Sequence, residues 1–531
     1  MDGMRRCLEG DFNSLYIVNL RGDIRKNMLS KGAAREGGNI FESGSMNGIA
    51  ISFLVKNPES KELGKIRYFD IGDDLTSVEK KRKLSSLVSI EAIKDEWVNI
   101  IPNDHADWLR QRDAGFSEFI ASGDKQGRES RAVFDNFSLG IATNRDAWAV
   151  NYSKEAVLLN MKRMIETYES DLAKYMASGA SNPDEHLSLD SSKMNWSFHL
   201  KKRFQARRRS AFSKDKARSI IYRPFSKQWI YYDKIFNEYT YQSAKLFGDA
   251  DGFSNLAISV SGTGARSGFS ALMIDRLVSG DMVEKGQCFP LSLIGGSKRL
   301  SDDLFKASLG SDEKDVCDGI TDVGLKHFQE AYPGETITKE DLFFYVYGLL
   351  HSEEYRSKYA DNLSKELPRI PRVKTAADFW AFSSAGRELG DLHVNYETVE
   401  PYPVTIKQGD LRLADIKNPE AFYRVTKWAF GKAGKEKDKT TVIYNANITM
   451  QDIPLQAYDY VVNGKPALEW VMERQVVKTD KDSGIENDAN RYAIETMNNP
   501  AYPLELFQRV ISVSLRTMEI VRGLPKLEVM A

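Results

Sequence analysis

A dense cluster of cations is the feature of this 531-residue sequence with the clearest chemical consequence. Residues 201–218 contain one acid, Asp215, and nine cations: Lys201, Lys202, Arg203, Arg207, Arg208, Arg209, Lys214, Lys216 and Arg218. Clustered positive charge attracts a polyanion, and lysine and arginine bind the phosphates of nucleic acids. The pattern therefore predicts a surface that binds a nucleic acid. A solvated basic helix with no ligand is the structural alternative.

Aromatic side chains follow the cations directly. Eight rings lie between residues 222 and 241, interleaved with Arg223, Lys227 and Lys234. Cations would position a nucleic acid through its phosphates, while side chains that reach base edges would supply sequence specificity. We predict DNA contacts from Lys201, Lys202, Arg203, Arg207, Arg208, Arg209, Arg223, Lys227, Trp229 and Tyr231. A hairpin whose aromatic rings belong to the core is the alternative.

A further cation precedes this region. Arg145 lies in the turn Thr143-Asn144-Arg145-Asp146, next to a carboxylate that could orient it toward DNA. The alternative is a surface salt bridge within the turn, since exposed ion pairs are common and contribute little. We include Arg145 among the candidate DNA contacts.

Nine short segments together resemble one protein family. They are GGNIF (37–41), GIAISFLVK (48–56), GIATNRDAW (140–148), YRPF (222–225), WIYYD (229–233), QCFPL (287–291), ELPRIP (366–371), LGDLHVNYE (389–397) and SGIENDAN (483–490). Their order resembles the C-terminal methyltransferase and target-recognition portion of Type ISP restriction-modification enzymes and related adenine-specific DNA methyltransferases. The resemblance implies double-stranded DNA as a partner and N6-methylation of adenine as the reaction of the complete enzyme.

The resemblance also implies parts that this sequence does not contain. In the family, an N-terminal half supplies a glycine-bearing S-adenosylmethionine loop and an Asn-Pro-Pro-aromatic tetrapeptide. Each Asn-Pro here continues differently, at residues 57, 182, 418 and 499, and no GxxxxGK[ST] phosphate loop occurs. We expect a DNA-recognition module without catalytic residues, inactive alone, whose partner is an N-terminal methyltransferase, helicase and nuclease polypeptide.

Composition restricts the class of protein. The formal net charge is −1, so DNA affinity would depend on local clusters rather than on bulk charge. Three widely separated cysteines argue against a disulfide framework and a structural zinc site, and we expect no metal. The sequence has neither a run of about 18 apolar residues nor an apolar N-terminal signal. We expect a cytoplasmic protein that does not associate with membranes.

Apolar runs predict the fold. Residues 14–20, 48–55 and 65–71 are typical of strands, the first two buried on both faces, and residues 76–87 of a helix capped by Thr76 with Glu79. We predict a mixed α/β and α+β chain: the C-terminal remnant of a doubly wound methyltransferase sheet, followed by a large mixed target-recognition region. By resemblance, Tyr68 and Phe69 stand where the family stacks a flipped base.

The predicted domains are residues 1–130 (methyltransferase-like part and connector), 131–400 (target recognition) and 401–531 (a strand-helix subdomain). Within them we predict amphipathic helices at 154–175 and 504–521, the turn of the aromatic hairpin at 233–238, an Asn463-Gly464 hairpin and strands at 406–416 and 458–462. His393 is expected to be a core residue.

Two other functions remain open. The chain could be a stand-alone sequence-specific DNA-binding or anti-restriction protein without a methyltransferase partner. It could also be an unrelated enzyme that holds a phosphate with Gly262, Gly264 and Gly268. No clear helix opens directly after these glycines, and a dinucleotide site requires one, so a glycine-rich loop between strands fits better.

Overall fold

The computed structural model describes residues 2–24, 35–125, 129, 131–179, 182–250, 252–295 and 316–530. These residues form two compact units. The first comprises Met1–Glu118, Thr263–Phe269 and Ser357–Pro368, and the second comprises Phe119–Gly262, Ser270–Arg356 and Arg369–Ala531. One core cluster of the second unit contains residues on both sides of position 400, from Ile141 to Val513. The predicted boundary there stays a prediction.

The described strands are β1 Ser14–Arg21, β2 Ile49–Val55, β3 Lys65–Asp70, β4 Val98–Ile100, β5 Ile120–Ala121, β6 Ser138–Leu139, β7 Val150–Asn151, β8 Ala217–Arg223, β9 Ser226–Tyr231, β10 Ala257–Val260, β11 Ala271–Ile274, β12 Leu277–Val278, β13 Gln287–Pro290, β14 Ser292–Ile294, β15 Val316–Asp318, β16 Arg369–Ile370, β17 Thr405–Ile406, β18 Ala429–Ala433, β19 Glu436–Ile443, β20 Thr449–Gln451, β21 Val461–Val462, β22 Lys465–Pro466, β23 Val477–Thr479 and β24 Glu486–Asp488.

The described α-helices are α1 Asp2–Asp11, α2 Ser77–Leu87, α3 Asp146–Ala149, α4 Lys154–Ser178, α5 Phe198–Gln205, α6 Ser243–Phe247, α7 Asp322–Gln329, α8 Lys339–Leu349, α9 Glu353–Lys358, α10 Ala360–Leu363, α11 Ala376–Val394, α12 Pro419–Tyr423, α13 Ala467–Arg474, α14 Ala489–Glu495 and α15 Tyr502–Arg522.

The first unit contains a four-stranded sheet in the order β2-β1-β3-β4. Strands β1 and β3 are parallel, whereas β2 and β4 are antiparallel to their neighbours. Val18, Leu20, Phe69 and Ile71 are in the core on one face of the sheet. The predicted capping box is present at the start of α2, where Thr76 and Glu79 bond each other's backbone amides. The predicted order of three strands and a helix is confirmed.

Strand β2 differs from its prediction. Six of its seven residues are exposed, although burial on both faces was expected. Within the described residues β2 pairs only with β1, so it is an edge strand with one open side. Ile51, Phe53, Leu54 and Val55 each expose between 37% and 44% of their surface. Because side chains alternate along a strand, apolar groups are open to solvent on both faces.

The second unit places the aromatic hairpin in the middle of a sheet. The order is β12-β8-β9-β7, so both hairpin strands have partners on both sides. The hairpin turn lies at Pro224 and Phe225, between β8 and β9. The predicted turn at 233–238 was therefore wrong as the hairpin turn. A separate turn occurs there, where the Asp233 carboxylate accepts hydrogen bonds from the amides of Ile235 and Phe236.

Three other predictions have clear outcomes. Helices α4 and α15 confirm the amphipathic patterns, and α4 buries residues at helical spacing, including Met161, Ile165 and Tyr168. Asn463 and Gly464 have positive φ and join β21 to β22, as a two-residue hairpin requires. The strands predicted at 406–416 and 458–462 are much shorter, namely β17 and β21, because short helical turns occupy Leu411–Leu413 and Leu455–Tyr458.

Candidate nucleic-acid interface

A buried ion pair fixes the start of the basic helix α5. The Glu238 carboxylate accepts hydrogen bonds from the His199 amide, at 3.2 Å, and from the Ser197 hydroxyl. The Arg145 guanidinium lies 3.6 Å from the same carboxylate, and both side chains are buried. A carboxylate at a helix N-terminus interacts favourably with the helix dipole. This cluster therefore sets the position at which the basic helix begins.

Arg145 has no surface left for DNA. Its guanidinium also donates to the carbonyls of Thr143 and Phe236 and to the Ser197 hydroxyl. Burial lowers the pKa of Arg145 to about 10, an effect that the charge of Glu238 opposes. Both sequence interpretations, a DNA contact and a surface salt bridge, are withdrawn on this geometry. Arg145 is a positioning residue in the interior.

Arg203 also points into the protein. Its guanidinium donates to the carbonyls of Ile235, Asn237 and Glu238 at 2.6 to 2.9 Å. These bonds tie α5 to the turn that follows the hairpin. They occupy most of the donors of this side chain, so Arg203 holds the helix in place and its predicted DNA contact is withdrawn.

Five other predicted cations are exposed. Leu200 and Phe204 are buried on one face of α5, four residues apart, which directs the rest of the helix outward. Lys201, Lys202, Arg207, Arg208 and Arg209 all lie at the surface. Exposed ion pairs join Lys201 to Asp184 at 3.9 Å and Arg209 to Glu169 at 2.7 Å. Such pairs are weak and screened by salt, so phosphates can replace the acids.

Exposed rings continue from this helix. Phe198, Tyr239 and Tyr241 expose 65%, 42% and 46% of their surface. Lys202 lies over the Phe198 ring, Phe198 contacts His199, His199 contacts Tyr239, and Tyr239 stacks on Tyr241 with centroids 5.2 Å apart. We call Phe198, Lys201, Lys202, Arg207, Arg208, Arg209, Tyr239 and Tyr241 the basic-aromatic surface.

The sequence prediction did not include these rings among the site residues. The eight aromatic residues of 222–241 gave no signal that separates interior rings from exposed ones. The distinguishing information is tertiary. Phe236, Tyr239 and Tyr241 all follow β9, but Phe236 is buried against Tyr168 of helix α4, whereas Tyr239 and Tyr241 are exposed.

The predicted contacts within the hairpin are interior or partly buried. Tyr231 is fully buried, and Lys227 is 5% exposed, with its ammonium 2.7 Å from Glu397. Trp229 is half-buried and donates its indole N–H to Thr496. Tyr231 packs in one core cluster with residues of helix α4, and Lys227 is held by Glu397, so the predicted DNA contacts of these two residues are withdrawn. The DNA contact of Trp229 stays a prediction.

Arg223 occupies an intermediate position at the end of β8. Its guanidinium donates to the carbonyl of Tyr222 and to the Ser279 hydroxyl, and it lies 4.2 Å from the centre of the Tyr222 ring. The side chain is half-buried. Its DNA contact stays a prediction.

The two aromatic residues predicted to stack a flipped base, Tyr68 and Phe69, differ in exposure within the first unit. Phe69 is 3% exposed and belongs to the core, so its predicted role is withdrawn. Tyr68 is half-buried. Its hydroxyl accepts from the Asn19 amide at 2.8 Å and donates to Asp70 at 3.0 Å. Burial raises the pKa of Tyr68. Base stacking by Tyr68 stays a prediction.

The glycine-rich loop has its amides engaged elsewhere. The Gly262 amide donates to the Glu284 carbonyl and the Gly264 amide to the Ser364 carbonyl. The loop runs from β10 to β11, which is the predicted connection between strands. These bonds disfavour a phosphate cradle, because the amides that would hold the phosphate already have backbone partners.

The described residues contain neither a metal-binding cluster nor a membrane-spanning helix. In these ranges, no group of three His, Cys, Asp or Glu side chains is arranged to hold a metal ion. None of the helices in this part of the chain has the length and apolar character needed to span a bilayer. His393 is a core residue as predicted, with hydrogen bonds to Tyr347 and Thr517.

Comparison with known proteins identifies relatives. A family model described as the Type ISP C-terminal specificity domain matches residues 132–506. No curated protein sequence matches the chain.

Solved structures that resemble the whole chain include a nuclease-deletion mutant of the Type ISP restriction-modification enzyme LlaGI in complex with a DNA substrate mimic (34% identity, TM-score 0.83). Others are the ATP-dependent Type ISP restriction-modification enzyme LlaBIII bound to DNA (34%, 0.85) and a DrdV-DNA complex (29%, 0.79). All of this chain is matched in each, but it covers only 45%, 32% and 49% of those chains.

Proposed function

This chain belongs to the family of Type ISP C-terminal specificity domains, and on that premise we propose that it recognises the DNA target of a Type ISP-like restriction-modification enzyme. The basic-aromatic surface is the observation that carries the proposal. It combines five exposed cations with three exposed rings, the pairing that binds a phosphate backbone and its bases. The similar structures of LlaGI and LlaBIII contain a DNA substrate mimic or DNA, which supports the same partner.

We further propose that the first unit is the C-terminal part of a methyltransferase sheet. Strand β2 supports this proposal, because an apolar edge strand that is open on both faces is a liability in a free protein. A strand beside β2 and further elements over both its faces would cover it. More than half of each similar chain lies outside the matched region and could supply them.

The family resemblance assigns N6-methylation of adenine to the complete enzyme. S-adenosylmethionine would supply the methyl group. This sequence has no Asn-Pro-Pro-aromatic tetrapeptide, so the residues present do not fit that chemistry. We propose that an N-terminal methyltransferase, helicase and nuclease polypeptide provides these parts, and that this chain transfers no methyl group by itself.

A two-part experiment tests the proposal. Purified chain is titrated into fluorescent duplex DNA and, separately, incubated with mixed-sequence duplex and labelled S-adenosylmethionine. We expect DNA binding without incorporation of label. Robust incorporation would refute the absence of catalytic parts, and no DNA binding at low salt would refute the recognition role.

The alternative is a stand-alone DNA-binding protein without a methyltransferase partner. Gene neighbourhood separates the two. An adjacent upstream reading frame that ends in the methyltransferase motifs favours a split enzyme, whereas its absence favours the stand-alone protein.

A further inference from the structure

A cavity of about 330 Å³ lies within the second unit, beside the aromatic hairpin but without any residue of the basic-aromatic surface. This volume is at the lower end of the range of small-molecule sites. Its apolar wall is formed by Val150, Val476 and Ile485, with the Tyr222 ring also lining the cavity. The cavity can therefore hold a flat apolar group against an aromatic side chain.

Hydrogen-bonding groups also line the cavity. Asp146 accepts from the Tyr222 hydroxyl at 2.8 Å and from the Thr143 hydroxyl, which leaves further acceptor positions on its two carboxylate oxygens. Gln228 is 2% exposed, and its side-chain oxygen accepts from the Asn487 amide at 3.2 Å. A carboxylate with remaining acceptor capacity is suited to a ligand that donates from an amine.

Cations supply the third part of the lining. Arg474 and Lys478 both border the cavity. The Nε of Arg474 is buried and has no hydrogen-bond partner, although its terminal nitrogen donates to Glu473 at 2.6 Å. Partial burial lowers the pKa of Lys478, the charge of Arg474 lowers it further, and the charge of Glu473 opposes this shift. Asp480 also lines the cavity, so the anion site is confined to Arg474 and Lys478, where a bound anion would pair with both cations and accept from the buried N–H.

We propose that this cavity binds one nucleotide, with its phosphate at Arg474 and Lys478, its base beside Tyr222, and the exocyclic amine of that base donating to Asp146. The ligand is either a free nucleotide or a nucleotide that has left the stack of a DNA strand. Both present the same base and phosphate. The proposal does not rest on DNA recognition by the basic-aromatic surface, since the two sites share no residue.

Equilibrium dialysis of the full chain tests the proposal directly. The probes are deoxycytidine monophosphate, thymidine monophosphate and inorganic phosphate. We expect the amine-bearing cytosine nucleotide to be retained about tenfold more tightly than the thymine nucleotide or phosphate, since hydrogen bonds to a charged group have at least that effect. Asp146→Asn should reduce this preference.

A duplex with one unpaired cytosine that competes for the site would identify a DNA nucleotide as the ligand, and failure to compete would identify the free nucleotide.

Lys478→Gln is the variant least able to disturb the fold, because Lys478 is more exposed than Asp146, Gln228 and Arg474, which also line the cavity. It should weaken nucleotide retention about tenfold. Lys481→Gln changes an exposed lysine of the same segment that does not line the cavity, and it should have no effect. Equal retention of the three probes, or unchanged retention by Lys478→Gln, would overturn the proposal, as would no retention at millimolar concentration. If the unmodified chain retains the nucleotide but does not bind duplex DNA, only the proposed DNA-recognition role is refuted.

Discussion

Replacing Arg207, Arg208 and Arg209 together with Ala should weaken DNA binding without unfolding the protein. All three side chains are exposed, and Arg209 forms one ion pair, with Glu169. Surface changes of this kind alter stability little. The variant therefore separates the electrostatic contribution of the basic-aromatic surface from the integrity of the fold.

The size of the effect follows from counterion release. Each phosphate contact contributes about 0.9 to the slope of log affinity against log salt concentration, so three contacts contribute about 2.7. Between about 50 and 200 mM salt, the wild-type chain should lose about 40-fold more affinity than the variant. The loss should be similar on every duplex sequence, because phosphate contacts carry no sequence information.

Fluorescence anisotropy with a labelled duplex, measured at several salt concentrations, gives both slopes. The matched control is Lys162→Ala, Lys174→Ala and Lys193→Ala, which removes three exposed cations that pair with neighbouring acids elsewhere in the second unit. We expect the control to keep the wild-type slope. If the arginine variant also keeps it, these arginines do not contact phosphates and the assignment of the surface is wrong.

Three further predictions concern the interior. Arg145→Ala leaves Glu238 buried without its cation and should lower the free energy of unfolding by about 3–5 kcal/mol, measured with urea. Lys227→Ala should have a similar effect through Glu397, and the fraction that stays folded should bind DNA with unchanged affinity. Burial lowers the pKa of His393 to about 3, so the unfolded state takes up the proton first as pH falls. Between about pH 6.5 and 5.0 this residue should reduce the free energy of unfolding by about 1.5 kcal/mol, and His393→Gln should abolish that contribution.

The sequence predicted local structure better than side-chain exposure. Capping by Thr76 and the Asn463-Gly464 turn depend on neighbouring residues alone, and both are present. The position of the aromatic hairpin in its sheet depends on distant strands, so the same residues were compatible with a surface or an interior location. Tyr231 is a core residue because it packs with residues of helix α4 in one core cluster.

The candidate site shows the same limit. The cation cluster is visible in the sequence, and five of the six DNA contacts predicted within it are exposed as the prediction requires. Arg145 and Arg203 could not be distinguished from them, since a buried guanidinium depends on carbonyls and a carboxylate that only the folded chain brings together. Pro224 and Phe225 could have indicated the correct hairpin turn, because proline favours the first inner position of a tight turn.

Selection from a pool of random duplex sequences tests the central claim most directly. The chain alone is incubated with the pool, bound DNA is recovered and amplified over several rounds, and the products are sequenced. A specificity domain should enrich one recurrent sequence, and the Arg207, Arg208 and Arg209 triple variant should recover the same sequence with lower yield. Recovery of a bound pool with the composition of the starting pool would contradict target recognition by this chain.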